Sequence, residues 1–329
     1  MPTLDARCLA LSKPVPRGRP VRSGPIPAVA WPTLLLALSA FTLFAAAAIA
    51  AIGGYAPVWI TIPLNSAAVY CMFTVAHDAL HGSLSSSRRV NSVVGRLAWF
   101  FVVPMASFSS FTYAHVQHHR YTNDADKDPD MFASHGPTWQ MPVRWALMDF
   151  FHSAWSVRRL SERLRRSWRR PMAEIAEGVV VSALSIAGLC AAVLTNNFWT
   201  LVIVLLIPQR IALVFVGWWF DWLPHHALER AKAGNPFRAT RVRVGMEWLL
   251  APIMLTSNYH LLHHLDPRLP FYRLLQAWWR NEDVYLDNDA VVVTVFGRTL
   301  TPAEYRDRKY GNRGIDFGIA CLTELFVSV

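Results

Sequence analysis

Four long apolar segments alternate with polar, arginine-rich stretches along the chain. The apolar segments cover residues of about 30–53, 57–76, 174–195 and 198–222. Each is long enough to cross a bilayer as a helix, which takes about 20 apolar residues. Only the links GYAP and TNNF separate the first from the second and the third from the fourth. The pattern predicts an all-α integral membrane protein with four transmembrane helices in two tight hairpins.

Arginine is concentrated on one side of these predicted helices, and neither hairpin link carries a charge. The arginines precede the first helix, follow the second and precede the third: Arg17, Arg19, Arg22, Arg88, Arg89, Arg96, and seven more between Arg158 and Arg170. Loops rich in Lys and Arg face the cytoplasm. We therefore expect both termini in the cytoplasm and both hairpin tips outside, in a bacterial-type inner membrane.

The remaining segments predict a cap and two flanking regions. Apolar stretches at about 97–113 and 246–257 are too short to span alone, so we expect a cytoplasmic cap of interfacial helices. Residues 1–28 are rich in proline and arginine and predict a disordered basic arm, while 29–280 would form the membrane domain. A cleaved signal peptide is the alternative to an uncleaved first helix, although the apolar run is too long for one. Residues 281–329 predict a polar C-terminal tail with VVVTV as a short strand.

Composition supports a membrane protein and indicates which kinds of molecule it binds. The 329 residues carry a net charge of +10, and 53% are hydrophobic while only 16% are charged, which is too apolar for an ordinary soluble domain. The positive charge is mostly arginine beside apolar runs, which favours anionic lipid headgroups over nucleic acid. Four widely separated cysteines predict neither a disulfide framework nor a zinc or iron–sulfur site: Cys8, Cys71, Cys190 and Cys321.

Nine histidines fall near the predicted cytoplasmic ends of the apolar segments. They form the patterns HDALH, HVQHH and HLLHH, with one more after the fourth helix: His77, His81, His115, His118, His119, His225, His260, His263 and His264. Spacings of three and four place imidazoles on one helix face, where neutral ring nitrogens can hold a metal ion. Nine imidazoles exceed what one ion accepts, so we expect two ions.

Isolated histidines favour a simpler interpretation. A satisfied polar residue at a helix end is the alternative for His225 and the preferred interpretation for its neighbour His226. His135 and His152 stand outside the three patterns, and we expect both to be ordinary surface residues.

The three histidine patterns contain no glutamate, which limits the kinds of metal site that they can form. A zinc protease would need HExxH, with the glutamate as general base. A bis-histidine haem needs two ligands on facing helices and does not use triplets at the membrane surface. An all-histidine pair of redox metals beside an apolar groove suits iron and O2 acting on a lipid.

The three patterns resemble the histidine boxes of the membrane fatty acid desaturase and hydroxylase superfamily, over about residues 30–280. The resemblance implies a non-haem di-iron centre, with O2 as co-substrate, that desaturates or hydroxylates an unactivated C–H bond. It also implies that His225 binds metal and that Asp221, four residues earlier in DWLPH, contacts metal-bound water. Asparagine is usual at that position in the acyl-CoA branch, so Asp221 departs from that pattern.

The sequences around the second and third boxes are most similar to bacterial acyl-lipid desaturases and cyanobacterial-type β-carotene hydroxylases. We therefore expect a fatty acid (acyl-chain) desaturase of lipid metabolism. Carotenoid-ring hydroxylation is the alternative, and a non-enzymatic metal-binding membrane protein, such as a transporter or haem carrier, is a remote one. A transporter would need ionisable residues along its spans, and away from the ends of the spans only Arg210 carries a charge.

Electrons for O2 activation must come from a partner. The sequence has no GxGxxG, no cysteine set for a cluster and no haem-binding pattern. We expect an external donor, either ferredoxin or a cytochrome b5-like protein with its reductase. The arginine-rich run from Arg158 to Arg170 favours a membrane anchor, with docking of an acidic donor as the alternative.

Carboxylates beside the boxes are candidates to accept hydrogen bonds from the ligands' second ring nitrogens. The candidates are Asp78, Asp124, Asp128 and Asp266. A solvated turn is the alternative for the acidic run at 124–130. A calcium loop is excluded, because Pro129 and His135 stand where an EF-hand needs Gly and Glu.

Arg210 lies within the fourth apolar segment, in IPQRIAL. A charged side chain there should face the interior of the bundle. We expect it either to bind a polar end of the substrate or to pair with Asn65, which sits at a similar depth.

Overall fold

The computed structural model describes residues 25–228 and 235–310. Residues 26–222 form one compact unit, and Pro25 with the described residues from 223 onward forms a second. Most of the predicted N-terminal arm and the end of the predicted C-terminal tail lie outside the described residues. Of the arm, Pro27 and Ala28 accept backbone hydrogen bonds from Ser86.

The first unit is built from helices. Four come before the acidic run: α1 (Trp31–Ile52), α2 (Val58–His81), α3 (Arg88–Val102) and α4 (Phe108–Tyr121). Four short helices follow, with a 3-10 turn at Thr138–Gln140: α5 (Met131–Ser134), α6 (Met141–Ala146), α7 (Met148–Arg158) and α8 (Leu160–Arg166). The unit ends with α9 (Arg169–Leu194) and α10 (Phe198–His225), whose last residues begin the second unit.

The four predicted membrane helices are confirmed. Helices α1, α2, α9 and α10 are each long and apolar enough to cross a membrane. Helix α2 extends past its predicted end at residue 76 to His81, so that the whole HDALH pattern is helical. The apolar stretch at 97–113 is divided between the end of α3 and the start of α4.

Helix α10 is irregular where the sequence requires it. Two π-helical segments, Val202–Leu206 and Gly217–Trp222, each lie just before a proline, Pro208 or Pro224. Proline lacks an N–H, and its ring clashes with the carbonyl four residues earlier. That carbonyl falls inside the π-helical segment in both cases, so the widened turns relieve the clash.

Helix α9 is attached to its unit mainly through polar contacts. None of its most apolar 18-residue window is buried. Near its start, the Glu177 carboxylate accepts hydrogen bonds from Ser109 Oγ (2.6 Å) and Arg96 Nη2 (2.7 Å). Further along, Ser182 Oγ donates to the carbonyl of Met105 at 3.1 Å. Its apolar side chains are therefore available to lipid.

The second unit combines short helices with a small sheet. The helices are α11 (Glu247–Ile253), α12 (His260–Leu265), α13 (Leu274–Asp287) and α14 (Pro302–Tyr310), with 3-10 turns at Pro236–Arg238, Ser257–Tyr259 and Phe271–Arg273. Strand β1 (Arg241–Val244) pairs in parallel with β2 (Val291–Thr294), which pairs antiparallel with β3 (Thr299–Leu300). The strand predicted from VVVTV is β2. The three-stranded sheet is a small addition to a mostly helical protein, which fits the expected all-α class.

Trp278 lies at the centre of the second unit's core and is fully buried. Its ring stacks on Tyr285 with centroids 5.3 Å apart, and its indole N–H donates to Tyr305 Oη at 2.8 Å. The domain boundary predicted at residue 280 falls inside α13, and Val292, Leu300 and Tyr305 from beyond it belong to the same core. As far as residue 310, the predicted polar tail is part of the folded unit.

Candidate metal centre

Four histidines of the first unit converge from two helices. His77 and His81 lie one turn apart at the end of α2, and His115 and His119 lie one turn apart on α4. The Nε2 atom of His115 is 3.1 Å from that of His77 and 3.0 Å from that of His119. One ring nitrogen from each of the four lies within 4.8 Å of the others. The histidine pairs on the two helices thus face the same small region, where their ring nitrogens converge.

The second unit contains its own group of histidines. His225 ends α10, and His260, His263 and His264 lie on α12. The Nε2 atoms of His260 and His264 are 3.1 Å apart, and the His225 ring centroid lies 5.2 Å and 5.1 Å from theirs. Ring nitrogens of these three residues also lie within 4.8 Å of one another. The His263 ring centroid is 5.3 Å from that of His260.

These distances fit metal ligands better than hydrogen bonds. Two nitrogens bound at about 2.1 Å to one ion, at right angles, lie about 3.0 Å apart. The Nε2 atom of His115 has two Nε2 neighbours near this distance, yet a ring nitrogen carries only one proton or one lone pair. A hydrogen bond can therefore satisfy only one of the two neighbours, whereas one cation can bind all three nitrogens.

The surroundings keep His115 neutral. Burial lowers the pKa of His115 well below its usual value, and the neighbouring His119 and His77 lower it further. Neutral imidazole is the form that binds metal ions. The protein therefore holds this nitrogen in the protonation state that metal binding needs.

His118 faces carboxylates instead. Its Nδ1–H donates to Asp128 Oδ1 at 2.9 Å, and Asp130 Oδ2 lies 3.3 Å from the same nitrogen. Burial by itself lowers the pKa of His118, but Asp128 and Asp130 outweigh it and raise the pKa to about 10. A carboxylate on Nδ1 fixes the ring's orientation, and a metal ion bound at Nε2 would replace the second ring proton.

The acidic run after HVQHH is a turn that its own carboxylates stabilise. Asp128 Oδ2 accepts from the backbone N–H of Asn123 at 2.7 Å, and Asp124 Oδ1 accepts from the backbone N–H groups of Asp126 (3.1 Å) and Lys127 (3.2 Å). The acidic run is therefore a turn, and the support of a metal ligand by its carboxylates stays a prediction. Asp124 caps the turn, and Asp128 faces His118.

The other acidic candidates have different surroundings. Asp221 is buried in the second π-helical segment, and its charge raises the pKa of His118. Asp266 is half-buried directly after α12. Asp78 is buried and accepts a hydrogen bond from Thr33 Oγ1 at 2.9 Å. This bond joins α1 to α2, so Asp78 contributes to the packing of two membrane helices.

The expected pairing of Arg210 with Asn65 is wrong. Arg210 Nη1 and Nη2 instead donate to the two carboxylate oxygens of Asp149, at 2.9 and 2.7 Å, and Nη1 also donates to the Ala146 carbonyl at 2.7 Å. Asn65 Nδ2 donates to the Val204 carbonyl in the first π-helical segment, at 3.0 Å. Arg210 thus joins α10 to α7 through its two terminal nitrogens, and its binding of a substrate stays a prediction.

His152 is not the ordinary surface residue that the sequence predicts. Only 18% of its side chain is exposed, and its Nε2 lies 3.0 Å from Asp130 Oδ1. His135 is also partly buried, with its Nδ1 2.8 Å from Ser134 Oγ. Neither Asp130 nor His152 was predicted from the sequence as a neighbour of His118. The spacing of Asp128 and Asp130, two residues apart, could have indicated that both side chains face the same neighbour.

Helices able to cross a membrane and two convergent groups of buried or partly buried histidines define an integral membrane protein with sites that could hold metal ions. Residues 53–296 match the family model described as Fatty acid desaturase. The match covers most of the chain, which therefore belongs to the fatty acid desaturase family and is an oxidoreductase.

The chain is similar to proteins whose names give different substrates. The chain is 30% identical over 207 residues to the β-carotene ketolase of Paracoccus sp. (strain PC1), covering 62% of this chain and 72% of that one. It is 25% identical over 259 residues to the sn-1 oleoyl-lipid 12-desaturase of Anabaena variabilis, covering 67% and 68%. It is 26% identical over 223 residues to the dihydrorhizobitoxine desaturase of Bradyrhizobium elkanii, covering 62% of each.

Proposed function

We propose that the protein uses O2 to oxidise an unactivated C–H bond of a long-chain lipid, and that acyl-chain desaturation is its reaction. The observation that carries the proposal is the convergence of histidine Nε2 atoms at the end of an apolar helix able to cross a membrane. A lipid chain in the bilayer can reach such a site without leaving an apolar medium. The similarity to an oleoyl-lipid desaturase supports an acyl substrate.

Two iron ions, held by the nine histidines, are the proposed cofactors. Bound iron would supply the O2 activation that breaking an unactivated C–H bond requires. The chain itself supplies the imidazoles, with His115 held neutral by its surroundings, and Asp128 accepts from Nδ1 of His118. Aromatic rings pack against the histidines and exclude water: Phe73 and Phe220 lie 6.0 and 5.7 Å from His77, and Phe111 lies 5.8 Å from His115.

The reaction needs an external reductant. Desaturation removes two hydrogens from the substrate and, with O2, two electrons and two protons, yields a double bond and two waters. The proposed donor is ferredoxin or a cytochrome b5-like protein with its reductase. The purified protein should be inactive with NADPH alone and active once a donor system is added. Turnover with NADPH alone would refute the need for a donor.

The proposed topology places the histidines and both termini in the cytoplasm, with two outward hairpins. It is supported by arginines between α2 and α9 that lie at the start of α3, in and between α7 and α8, and at the start of α9. Single cysteines introduced at Asn196 and His135 test it. A membrane-impermeant thiol reagent added to whole cells should label the first and not the second, and the opposite result would reverse the orientation.

Carotenoid-ring oxidation is the second candidate, because the chain is similar to a β-carotene ketolase at 30% identity. Expression in two hosts separates the candidates: one host makes only saturated and monounsaturated lipids, and the other makes β-carotene. Mass spectrometry of lipids and pigments should show new acyl double bonds. Oxidised carotenoid rings without new acyl double bonds would reject acyl desaturation in favour of the second candidate.

A further inference from the structure

A histidine outside the three boxes lies behind one of the box histidines. The carboxylate of Asp130 has one oxygen, Oδ2, at 3.3 Å from His118 Nδ1 and the other, Oδ1, at 3.0 Å from His152 Nε2. Asp130 and His118 are buried, and His152 is largely so. The carboxylate thus lies between two imidazoles, with one ring nitrogen close to each of its oxygens.

Asp130 is held in place by the turn that contains it. Its backbone N–H donates to Asp128 Oδ1 at 2.9 Å, and its carbonyl accepts from Ser134 Oγ at 2.8 Å. Asp128 Oδ1 is also the acceptor for His118 Nδ1–H. These contacts fix the backbone of Asp130, while the side chain can still rotate, so the position of its carboxylate depends on its partners.

Helix α7 provides a fixed support for His152. One turn earlier, Asp149 pairs with Arg210 of α10. Phe151, the residue before His152, stacks on Phe132 of α5 with ring centroids 4.2 Å apart and planes within 6°. Both contacts restrict movement of α7, so His152 is presented to Asp130 from a helix that is itself held.

A third metal site is the competing interpretation, because ligand atoms of His118, Asp128 and Asp130 lie within 4.8 Å of one another. The oxygens of Asp128 argue against it. Oδ1 accepts from His118 Nδ1–H and from the backbone N–H of Asp130, and Oδ2 accepts from that of Asn123. Three donors directed at one carboxylate match a support for an imidazole, and a cation there would have to displace them.

We propose that His152 is a positioning residue for His118, acting through the carboxylate of Asp130. The proposal rests on the proposed function, in which His118 binds iron. With His152 present, Asp130 Oδ2 is directed at His118 Nδ1. Without it, a buried carboxylate oxygen loses the polar group beside it and the side chain turns toward another, which loosens the His118 ring.

The test uses the full-length purified protein and three variants: His152→Ala, His152→Gln, and His135→Ala as a matched control outside the boxes. The measurements are iron per chain, the rate of iron release to a chelator, and the visible absorption of the cobalt(II)-substituted protein. Loss of a group that supports a ligand costs about 10–100-fold in metal affinity, and His152 acts one step further away. We therefore expect about tenfold faster release of one iron in His152→Ala, with an altered cobalt spectrum.

The glutamine variant separates positioning from general destabilisation, because its amide N–H can occupy the place of Nε2. His152→Gln should restore slow release and the wild-type cobalt spectrum, and His135→Ala should match wild type. Wild-type release and spectrum in His152→Ala would overturn the proposal, as would equal damage in His152→Gln or His135→Ala. If the wild-type protein binds no iron, the proposed function is rejected as well. That result differs from a wild-type protein that binds two irons and a His152→Ala variant that releases them at the same rate, which rejects only the role of His152.

Discussion

The motifs HVQHH on α4 and HLLHH on α12 present their imidazoles with nearly the same geometry. The first and last rings of each motif have centroids 4.7 Å apart and planes at 71° and 67°. The first and middle rings are 5.7 and 5.3 Å apart, at 36° and 35°. The spacing along a helical turn sets this arrangement, and it does so independently of the surrounding fold.

The supports of the two motifs differ. Helix α4 has 14 residues, with Ser107 as a cap that accepts from the backbone N–H of Ser110, and its middle histidine meets carboxylates. Helix α12 has six residues and follows two residues with positive φ, Leu255 and Thr256. Its position depends on the core beneath it, through Leu261 and Leu262. One motif is supported by a regular helix and local charges, and the other by tertiary packing.

Removing equivalent ligands should have the largest effect and should affect both motifs equally. His119→Ala and His264→Ala each delete the last imidazole of a motif. We expect each to lower turnover by more than about a hundredfold, beyond the loss typical of groups that only support a ligand, and to lower iron content. Lipid product analysis and metal analysis measure both. Full activity in either variant would contradict the di-iron proposal. It would also show that the two motifs do not contribute equally to metal binding.

A smaller effect should follow from removing the carboxylate on which HVQHH depends. Asp128→Asn keeps the size of the side chain but loses the charge that faces His118 Nδ1. We expect metal affinity to fall by about 10–100-fold, measured by competition with a chelator. Asp124→Asn is the control, because the Oδ1 contacts of Asp124 cap the turn. Equal loss in the two variants would show that the turn, and not the charge on His118, is what matters.

The ion pair behind α7 should contribute to thermal stability. Arg210→Ala and Asp149→Ala each leave a partly or fully buried charge without its partner, so each single variant should unfold at a lower temperature. A loss of 1 kcal/mol corresponds to about 2–4 °C in a protein of this kind of size. The double variant should be no less stable than the worse single variant. Fully additive losses would mean that the two residues act separately.

The smallest effect concerns the support of HLLHH and depends on pH. Burial raises the pKa of Glu247 above 4.5, although hydrogen bonds from Gly245 N–H and Tyr259 Oη oppose this. The folded protein then binds this proton more tightly than the unfolded chain does. The resulting stability is present below pH 4.5 and is lost as the pH rises through the folded pKa.

The neutral variant Glu247→Gln removes this dependence while keeping an oxygen acceptor. Its unfolding temperature relative to wild type should therefore increase between pH 4.5 and neutral pH, as measured by thermal unfolding in detergent at several pH values. A difference between wild type and variant that stays constant with pH would show that Glu247 does not titrate differently on folding.

The sequence predicted those features that depend on local pattern. The bilayer requires continuous apolar runs, so the four membrane helices could be read directly, and fixed helical spacing identified the box histidines. The pairing of Arg210 was predicted wrongly, because Asp149 lies 61 positions away in the chain and no periodicity connects them. The contact of His152 with Asp130 could not be predicted for the same reason, because no sequence pattern connects the two residues. Strand β1 was missed because it pairs with a segment about 50 residues later, Arg241 with Val291.

Helix α9 carries a consequence for how the chain tolerates substitution. Its most apolar window is unburied, and its polar contacts run through a few residues such as Glu177 and Ser182. In a saturation-mutagenesis scan, most positions of α9 should accept any apolar residue, since only the bilayer selects them. Glu177 should accept almost none. Sequence divergence along this helix would therefore trace the composition of the host's membrane, while Glu177 would trace the fold.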